Sequence, residues 1–537
     1  MTQPSDLRIG IWVDDARISK YDRDLIEWAR SQPGIVVAAL LVSASLVAGK
    51  RPSMLARSFF RGLTAIESTL LQRSPKHREH LSRFDARALL ANTPTQIVAA
   101  SDVNQIASLK IDLIVFVGAD IPGGGFEIST TFGTVAFEWA DPIHRRGAPV
   151  AFWEVFERQD TTDFALKIFS EGHTTGDVLL RGHVPTRHYY LLNEAALYEK
   201  GYHYLRTMIA STASSGKLPV LAPATPTSRK PSALPSALQS CSYLARFFSA
   251  MVSKRLSKLA GRELVWNVAF VRDSWRQAAL WRGRPIDNPP GRYLADPFVV
   301  ARDGREYCFV EDFDCAQERA HISVYELGAT EAKRLGVVID EPFHLSFPYL
   351  FEYQGALFMC PESCANRDIR IYRCVDFPMK WELEKVAMSG VGTGDTMIFE
   401  RQGKWWLFTT MDPGHTGELA TELFVFSASS PFDDAWQPHA RNPVLIDATR
   451  GRNAGLLVDG GKIFRVSQRR GFDRYGKSLQ INEIINLTDE IYEERCIEVI
   501  EPTFQDGVLA THHLHSRDGV TVFDFLAEAS ARPFSTT

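Results

Sequence analysis

Acidic residues recur at matching positions of a repeat in the second half of this 537-residue chain. Asp296 and Asp395 precede repeat glycines by eight residues, and Glu311 and Glu362 follow them by seven. Carboxylates that face each other across a cavity can act as acid and base on a glycosidic bond, at separations of ~5 to ~9.5 Å. Charged residues at strand ends also bind turn amides or neighbouring strands without any catalysis. Both interpretations depend on how the repeat folds.

The repeat comprises five segments, each with an apolar strand, a turn containing glycine and a second strand rich in aromatic residues. Asp-Gly and Gln-Gly turns between alternating apolar strands are typical of β-hairpins. Because a four-stranded blade needs ~40–50 residues, five such units predict an all-β five-bladed propeller over residues 263–530. The turn glycines, separated by 51, 48, 58 and 58 residues, are Gly304, Gly355, Gly403, Gly461 and Gly519.

The hairpin geometry predicts which residues meet at one mouth of the propeller. Eight residues before each glycine lies the start of an inner strand, and seven residues after it lies the end of the next strand. We expect four of the five blades to aim polar groups at this mouth, with the acids as catalytic candidates and Asn453, Gln468 and His512 as substrate-binding candidates. The counted positions are Asp296, Phe347, Asp395, Asn453 and Thr511, then Glu311, Glu362, Thr410, Gln468 and Leu526.

Histidines cluster near the end of the repeat, in the run from Thr511 to His515. On a strand, His513 and His515 share one face and His512 points to the other. With no carboxylate expected beside them, we interpret them as part of a polar channel wall, and no metal site is predicted.

The first half of the chain alternates strand and helix patterns. Residues 7–13 and 35–43 read as strands around a helix from Lys20 to Ser31, and 111–118 and 133–139 read as further apolar strands. Near-continuous apolar runs are typical of buried parallel strands. Residues 1–211 are therefore predicted to be an α/β domain with a doubly wound sheet, closed by a helix over 186–209.

Residues 133–182 carry three motifs: the Arg146-Gly147 turn, Trp153 in the following helix, and Thr175-Gly176-Asp177 before an apolar run. In this the first half resembles the folate-dependent formyltransferase family. The resemblance implies 10-formyltetrahydrofolate as a donor and places Arg146 and Asp177 at a substrate site.

The family's reactive groups are replaced. Its Asn, His and catalytic Asp fall on Ala136, Glu138 and Thr174. General acid–base groups contribute roughly 10²–10⁴-fold in rate, so ordinary formyl transfer is not expected and no cofactor is assigned with certainty. Glu138 is a candidate base, raised in pKa by burial against Phe137 and Trp139, or else a member of a salt bridge with Arg145 or Arg146.

The second half resembles the N-terminal domain of plant glucosamine inositolphosphorylceramide transferases, itself similar to family 43 glycoside hydrolase propellers. The motifs are ADPF (295–298) and the stretches 344–363, 394–408 and 436–484. The resemblance implies that Asp296 matches the general base of those hydrolases. No residue matches their general acid, and the plant proteins carry their transfer chemistry in another domain.

Between the two halves, residues 212–242 are rich in Pro, Ser and Ala, which predicts a linker. Residues 243–262 mix apolar residues with basic ones and predict an amphipathic helix. That helix could lie on an anionic membrane surface, or pack on a neighbouring domain with its basic residues in solvent. Residues 531–537 form a tail.

Composition bounds the remaining possibilities. A net charge of −4 gives no reason to expect nucleic acid as a partner. The longest apolar run, 35–47, is shorter than the ~20 residues that cross a bilayer. No secretory signal is visible and seven cysteines argue against a disulfide framework, so we expect a cytoplasmic protein with free thiols.

The two halves together predict a transferase-like protein of surface-glycan biosynthesis or modification, with a degenerate formyl-transfer site and a propeller that handles a carbohydrate or glycan intermediate. One alternative is a non-catalytic glycan-binding or scaffold protein. A third is a glycoside hydrolase that works through the propeller carboxylates.

Overall fold

The computed structural model describes residues 6–43, 53–91, 93–118, 128–139, 149–171, 176–218, 234–259, 263–472, 474–529 and 534. The chain divides into two compact units, residues 1–251 and 252–537. Arg146 and Thr174, named above, lie outside the described residues. No helix among the described residues is long and apolar enough to cross a membrane.

The N-terminal unit is an α/β domain built on one seven-stranded sheet. Its strands are β1 (Leu7–Val13), β3 (Ile35–Val42), β5 (Gln96–Ala99), β6 (Leu113–Phe116), β7 (Thr134–Glu138), β8 (Thr161–Phe169) and β9 (Asp177–Pro185), with β2 (Arg17–Ser19) and β4 (Arg83–Asp85) paired separately. The order is β5-β3-β1-β6-β7-β8-β9, parallel from β5 to β7 and antiparallel from β7 to β9. The predicted parallel sheet is confirmed from β5 to β7. Its strands β1 and β3 are buried apolar runs, as is typical of parallel strands.

Seven helices lie within the described residues of this half of the chain. They are α1 (Lys20–Ser31), α2 (Met54–Leu71), α3 (Ala86–Leu90), α4 (Val103–Ser108), α5 (Phe152–Glu157), α6 (Tyr190–Ser215) and α7 (Ala237–Leu259). Helix α1 has the predicted bounds, and Trp153 lies in α5 as predicted. Helix α1 begins with a capping box between Ser19 and Asp22, which satisfies backbone N–H groups that have no partner within the helix.

The interdomain segment is more helical than its composition predicts. Helix α6 continues to Ser215, and α7 begins at Ala237, six residues before the predicted start. The start of α7 is a capping box that composition alone conceals. Ser236 Oγ accepts from the N–H of Gln239 (3.3 Å), and Gln239 Oε1 accepts from the N–H of Ser236 (2.8 Å).

The C-terminal unit is a five-bladed β-propeller, as the repeat predicts. Blade 1 is β12 (Arg292–Arg302), β13 (Arg305–Asp314), β14 (Arg319–Leu327) and β15 (Ala332–Ile339), and blade 2 is β16 (Ser346–Tyr353), β17 (Ala356–Ser363), β18 (Asp368–Asp376) and β19 (Lys380–Ser389). Blade 3 is β20 (Thr393–Arg401), β21 (Lys404–Met411), β22 (Glu422–Ala428), β23 (Gln437–Pro438) and β24 (Leu445–Ile446). Blade 4 is β25 (Asn453–Asp459), β26 (Lys462–Arg469), β27 (Ser478–Leu487) and β28 (Tyr492–Ile500).

Blade 5 joins the two ends of the propeller sequence. Its strands β10 (Leu264–Val271) and β11 (Arg284–Ile286) come from the start, and β29 (Leu514–Arg517) and β30 (Val520–Glu528) come from the end, in the order β11-β10-β30-β29. Eight residue pairs join β10 to β30. This pairing closes the ring of blades. Both β10 and β30 have a neighbouring strand on each side, so neither is an edge strand.

The five repeat glycines close tight hairpins. All five have positive φ, from 73° to 79°, and the residue before each also has positive φ, from 49° to 57°. Two successive residues with positive φ form the turn that matches the twist of paired strands. The predicted hairpins are therefore confirmed.

Candidate functional site

In every blade, the residue seven positions after the turn glycine pairs across the inner end of the hairpin, as predicted. Its partner is one residue before the position counted from the sequence. Ala295 pairs with Glu311, Ser346 with Glu362, and Gly394 with Thr410. The N–H of Gln468 donates to the carbonyl of Arg452, and Leu526 bridges Ala510. Equivalent positions thus lie at the same edge of all five blades.

At three of the counted residues, a β-bulge interrupts the alternation of side chains along the strand. Asp296, Phe347 and Asp395 have φ of 49°, 46° and 48°, and each lies at a shift in strand register. A bulge places two residues opposite one and re-aims a side chain. Left-handed backbone at non-glycine residues is costly and is often found at functional sites.

Asp296 is a buried carboxylate that accepts few hydrogen bonds from the described residues. It is 5% exposed, and its Oδ2 accepts from the N–H of Phe347 at 3.3 Å. Its Oδ1 receives no hydrogen bond from the described residues, although His512 Nε2 and His513 Nδ1 each lie 3.7 Å away. Burial raises the pKa of Asp296 to about 7, while the charge of His512 opposes the rise.

Glu311 is the buried neighbour of Asp296. It is 8% exposed, and its Oε1 lies 3.5 Å from His344 Nε2. Burial, then the negative charges of Asp296 and Glu362, raises the pKa of Glu311 well above its usual range. Two carboxyl groups in one buried site do not both ionise readily, so the charge of Asp296 favours the protonated form of Glu311.

Asp395 belongs to an ion cluster that joins three blades. The guanidinium of Arg452 binds Asp395 Oδ2 at 2.5 Å and Glu362 Oε2 at 3.1 Å. Gln468 Nε2 donates to Asp395 Oδ2 at 2.9 Å. Burial raises the pKa of Asp395, and Arg452 opposes the rise. Both carboxyls have a pKa raised to about 7, but Asp395 differs from Asp296 in its partners, because the guanidinium of Arg452 contacts both of its oxygens.

His512 lies between two carboxylates. Its Nδ1 is 2.6 Å from Asp524 Oδ2, and its Nε2 faces Asp296. Its ring stacks on Trp266 of β10 at 3.9 Å and meets the ring of Tyr475 at 5.7 Å. Burial lowers the pKa of His512, but the hydrogen bond to Asp524 and the charges of Asp524, Asp296 and Asp395 together outweigh burial, and the net shift is upward.

The predicted arrangement of the histidines holds for His513 and His515, whose rings both meet the ring of Phe298, at 4.6 and 5.0 Å, but it is wrong for His512. Residues 511–513 precede β29 rather than continue it, and His512 and His513 both approach Asp296 instead of pointing to opposite faces. The reason is that the N–H groups of His512 and His513 both donate to Asp524 Oδ1, at 2.9 Å each, which breaks the strand alternation. Carboxylates also lie beside the histidines, contrary to expectation.

This grouping could hold a cation. One ligand atom from each of Asp296, His512 and Asp524 lies within 4.8 Å of the others, and all three residues are buried. Nitrogen and carboxylate oxygen are ligands that several divalent metals accept. The same donors form the ion pair of His512 with Asp524, which stabilises the cluster by itself.

Of the two amides predicted to bind substrate, one is occupied by the protein. Asn453 is fully buried; its Nδ2 donates to the Asp395 carbonyl at 2.8 Å, and its Oδ1 accepts from Arg465 at 3.2 Å. Gln468 uses its Nε2 on Asp395, but its Oε1 is buried and receives no hydrogen bond from the described residues. Gln468 thus keeps an acceptor for a ligand, whereas Asn453 fastens blades 3 and 4.

The formyltransferase-like positions of the α/β domain are far less equipped for chemistry. Ala136 and Glu138 lie on β7, and Glu138 Oε2 pairs with Lys167 Nζ at 2.6 Å. A salt bridge is thus present, with Lys167 as a partner of Glu138. Asp177 is exposed at the start of β9. In the sheet, Asp177 is the strand partner of Ile168 on β8, and Glu138 is the strand partner of Ala165 on the same strand. The two acids therefore pair with positions three residues apart on β8.

Several site residues escaped the sequence analysis. Arg452 directly precedes the counted Asn453, and Asp524 is a charged residue inside an otherwise apolar strand. Both were visible as irregularities in the repeat. Trp266 and Tyr475 carried no such signal, since their approach to His512 depends on ring closure and on the loop between β26 and β27.

Comparison with known proteins places the resemblance in the propeller. Residues 286–512 match the family model for the N-terminal domain of glucosamine inositolphosphorylceramide transferase 1. The protein of that name from Arabidopsis thaliana is 33% identical over 244 residues, covering 42% of this chain and 31% of the relative. That from Oryza sativa subsp. japonica is 32% identical over 211 residues, covering 38% and 28%. The chain therefore spans less than a third of either relative.

Solved structures with partial similarity are glycoside hydrolases. A family 117 enzyme of Zobellia galactanivorans aligns with 12% identity and a TM-score of 0.33, over 50% of this chain and 93% of that one. The catalytic domain of the Coprinopsis cinerea GH62 alpha-L-arabinofuranosidase aligns with 13% identity and a TM-score of 0.34, over 45% and 93%. The propeller of this chain is thus similar in sequence to the N-terminal domain of the plant transferases.

Proposed function

We propose that the propeller binds a carbohydrate at the cluster around Asp296, in a protein of glycan biosynthesis or modification. The observation that carries this proposal is the buried Oδ1 of Asp296, which lacks a hydrogen-bond donor from the described residues. An unsatisfied buried polar atom costs about 1–3 kcal/mol. A ligand hydroxyl that donates to this oxygen recovers that cost.

The surroundings of Asp296 fit a ligand with many hydroxyl groups. Gln468 offers a second free acceptor, and Trp266 and Tyr475 supply aromatic surface on either side of His512. Ligand sites commonly combine aromatic walls with a few fixed polar groups. The bulges that hold Asp296 and Asp395 position these groups before any ligand arrives, which limits the ordering cost of binding.

The relatives narrow the choice of ligand. They are named for transfer of glucosamine to inositolphosphorylceramide. We therefore propose that a sugar-bearing inositolphosphoryl headgroup, or a glycan intermediate of similar chemistry, is the class of molecule that this propeller recognises.

A glycan array that includes glucosamine-bearing headgroups, followed by calorimetry on the full chain, tests this proposal. Asp296→Asn keeps the shape but converts one acceptor into a donor, so binding should weaken by about tenfold or more. Asp303→Asn, in the exposed turn of the same hairpin, is the matched control and should bind normally. Binding that survives in the double variant Asp296→Ala and Asp395→Ala would place the ligand elsewhere.

Acid–base chemistry on a glycosidic bond is a second candidate function. It is favoured by the pKa of Asp296, about 7, and by the neighbouring Glu311, whose pKa is raised well above its usual range by burial and the charge of Asp296. One carboxyl that is ionised and one that is protonated near neutral pH is the pairing that glycosyl chemistry uses. Turnover of aryl glycosides that is lost in Glu311→Gln, with binding retained, supports catalysis; binding without turnover supports the first proposal.

The α/β domain offers weaker grounds for formyl transfer, which the family resemblance suggests. Its support is the position of Glu138 on β7, at the end of the parallel sheet. The ion pair with Lys167 gives Glu138 a structural role that needs no substrate. Incubation with 10-formyltetrahydrofolate and amino sugars, compared between the parent and Glu138→Gln, tests formyl transfer, and a lack of folate product from the parent rejects it.

A further inference from the structure

Two helices of the N-terminal unit carry large apolar side chains in contact with solvent. On α2, Met54 is 87% exposed, Leu55 65% and Phe59 40%. On α7, Leu238 is 80% exposed and Phe248 50%. Scattered apolar residues are ordinary on protein surfaces, but a concentration on two helices is not.

The two helices are neighbours, joined through their inner faces. The hydroxyl of Tyr243 on α7 donates to the carboxylate of Glu67 on α2 and accepts from the N–H of Tyr190 at 2.9 Å. Tyr243 packs its ring 5.4 Å from that of Phe152, and Phe247 lies 5.0 Å from Tyr189. One face of α7 is therefore packed on the N-terminal unit through these contacts.

The exposed apolar residues lie on the outer faces. On α2, Leu55, Phe59 and Ile66 form an exposed row with a spacing of four and seven residues, next to the buried row of Ala56, Leu63 and Glu67. On α7, Leu238 and Phe248 lie across the helix from Tyr243 and Phe247. Each helix therefore has packed side chains on one face and further apolar side chains that contact solvent.

The charges on these helices are of one sign. The sequence of α7 contains neither Asp nor Glu, and the only acidic residue of α2 is Glu67, which is 2% exposed. Arg57, Arg61 and Arg246 are exposed. A second copy of the same surface would repel these arginines, while an anionic lipid surface would attract them.

We propose that the outer faces of α2 and α7 form a peripheral attachment surface for membranes that contain anionic lipids. The apolar side chains enter the boundary between headgroups and acyl chains, and the arginines bind lipid phosphates, as in other interfacial amphipathic helices. This proposal is independent of the ligand of the propeller.

Co-sedimentation of the full chain with vesicles tests the surface. The protein should pellet with phosphatidylcholine vesicles that contain phosphatidylserine, and much less with pure phosphatidylcholine. Phe59→Glu combined with Arg57→Glu should lower the bound fraction by about tenfold or more, and Phe248→Glu should lower it as well. Val103→Glu combined with Arg30→Glu changes the same number of apolar and basic residues on other exposed surfaces, and should leave binding unchanged.

Circular dichroism and thermal unfolding establish that each variant is folded. If a substitution prevents folding, the salt dependence of the parent is decisive, because attraction to phosphatidylserine weakens as salt screens the arginines. The proposal is overturned if the parent fails to bind either vesicle, if binding is equal in all variants, or if the control pair loses binding equally. A dimer that Phe248→Glu dissociates, without vesicle binding by the parent, would assign the surface to a second copy.

Discussion

In the last blade of the propeller, Nδ1 of His512 lies 2.6 Å from Oδ2 of Asp524, and both are buried. The other oxygen of Asp524 accepts from the backbone N–H groups of His512 and His513. One carboxylate thus fixes both the backbone and the ring of His512. The ring is thus oriented with Nδ1 towards Asp524 and Nε2 towards Asp296.

Replacing Asp296 should change how stability depends on pH. Its pKa rises from 3.8 to about 7 on folding, chiefly through burial. The unfolded chain therefore loses this proton at lower pH than the native state, and stability declines between about pH 4 and 7. The upper bound is roughly 4 kcal/mol at 1.36 kcal/mol per unit. The raised pKa of His512 acts in the same direction, since its proton is also lost as pH rises.

Asp296→Asn should flatten this decline and raise the melting temperature at pH 8 more than at pH 4. Thermal unfolding across this range, in buffer with a chelator to remove bound cations, measures the effect. Asp303→Asn in the exposed turn is the control. An unchanged slope in Asp296→Asn would mean that Asp296 is ionised throughout.

Arg452 should be among the most sensitive residues of the propeller. Arg452→Ala leaves Asp395, whose side chain is 1% exposed, and Glu362 without their cation. Breaking a buried pair from one side costs about 3–5 kcal/mol. Denaturant titration should show this loss, and adding Asp395→Asn should restore part of it.

The exposed ion pair of Arg305 and Glu326 is the control for the loss of stability in Arg452→Ala. Arg305→Ala removes the partner of Glu326 at 3.2 Å, where the arginine side chain is 64% exposed. Exposed pairs contribute about 0–1 kcal/mol, so this variant should unfold close to the parent. Equal losses in the two variants would contradict a special role for the buried cluster.

The strands that close the propeller should be required for its folding. A fragment of residues 263–537 keeps β10 and β11, whereas 290–537 lacks both and exposes the edge of β30. The shorter fragment should aggregate, because an unpaired edge strand invites pairing with other chains. Size-exclusion chromatography compares the two fragments, and identical monomeric behaviour would show that blade 5 tolerates the loss.

The hairpin turns should tolerate asparagine better than valine. Gly355 has φ of 77°, and no atom lies within 4 Å of the position of an added Cβ. Any loss of stability therefore comes from backbone conformation alone. Gly355→Val should cost about 1–2 kcal/mol and Gly355→Asn less, since asparagine enters this region more readily. Similar melting temperatures for both variants would contradict this.

Local patterns carried much of the architecture. The alternation around each turn glycine and the regular spacing of the turns predicted five blades, and the apolar runs predicted the parallel sheet. The same counting placed Asp296, Glu311, Asp395 and Glu362 at one edge. It succeeded because strand pairing from a tight turn is a local geometric consequence.

Counting positions from the turn glycines gave wrong predictions where contacts between residues distant in the sequence determine the structure. His512 could not be assigned to its face because Asp524, on the returning strand, accepts from the N–H groups of both His512 and His513. Asn453 was counted as a site residue, yet Arg465 and the Asp395 carbonyl occupy its amide. The capping box of Ser236 and Gln239 was hidden in a segment whose composition resembles a linker.

The sequence by itself determined the repeat, the turns and the set of acidic residues, because these follow from residue types at fixed local spacing. Only the tertiary structure decided which partners each buried acid meets. Asp395 is held by Arg452, 57 positions later in the chain, while Asp296 meets His512 across the closure of the ring. Charge states in a buried site depend on desolvation and on the nearest partners, and those partners are set by folding rather than by spacing.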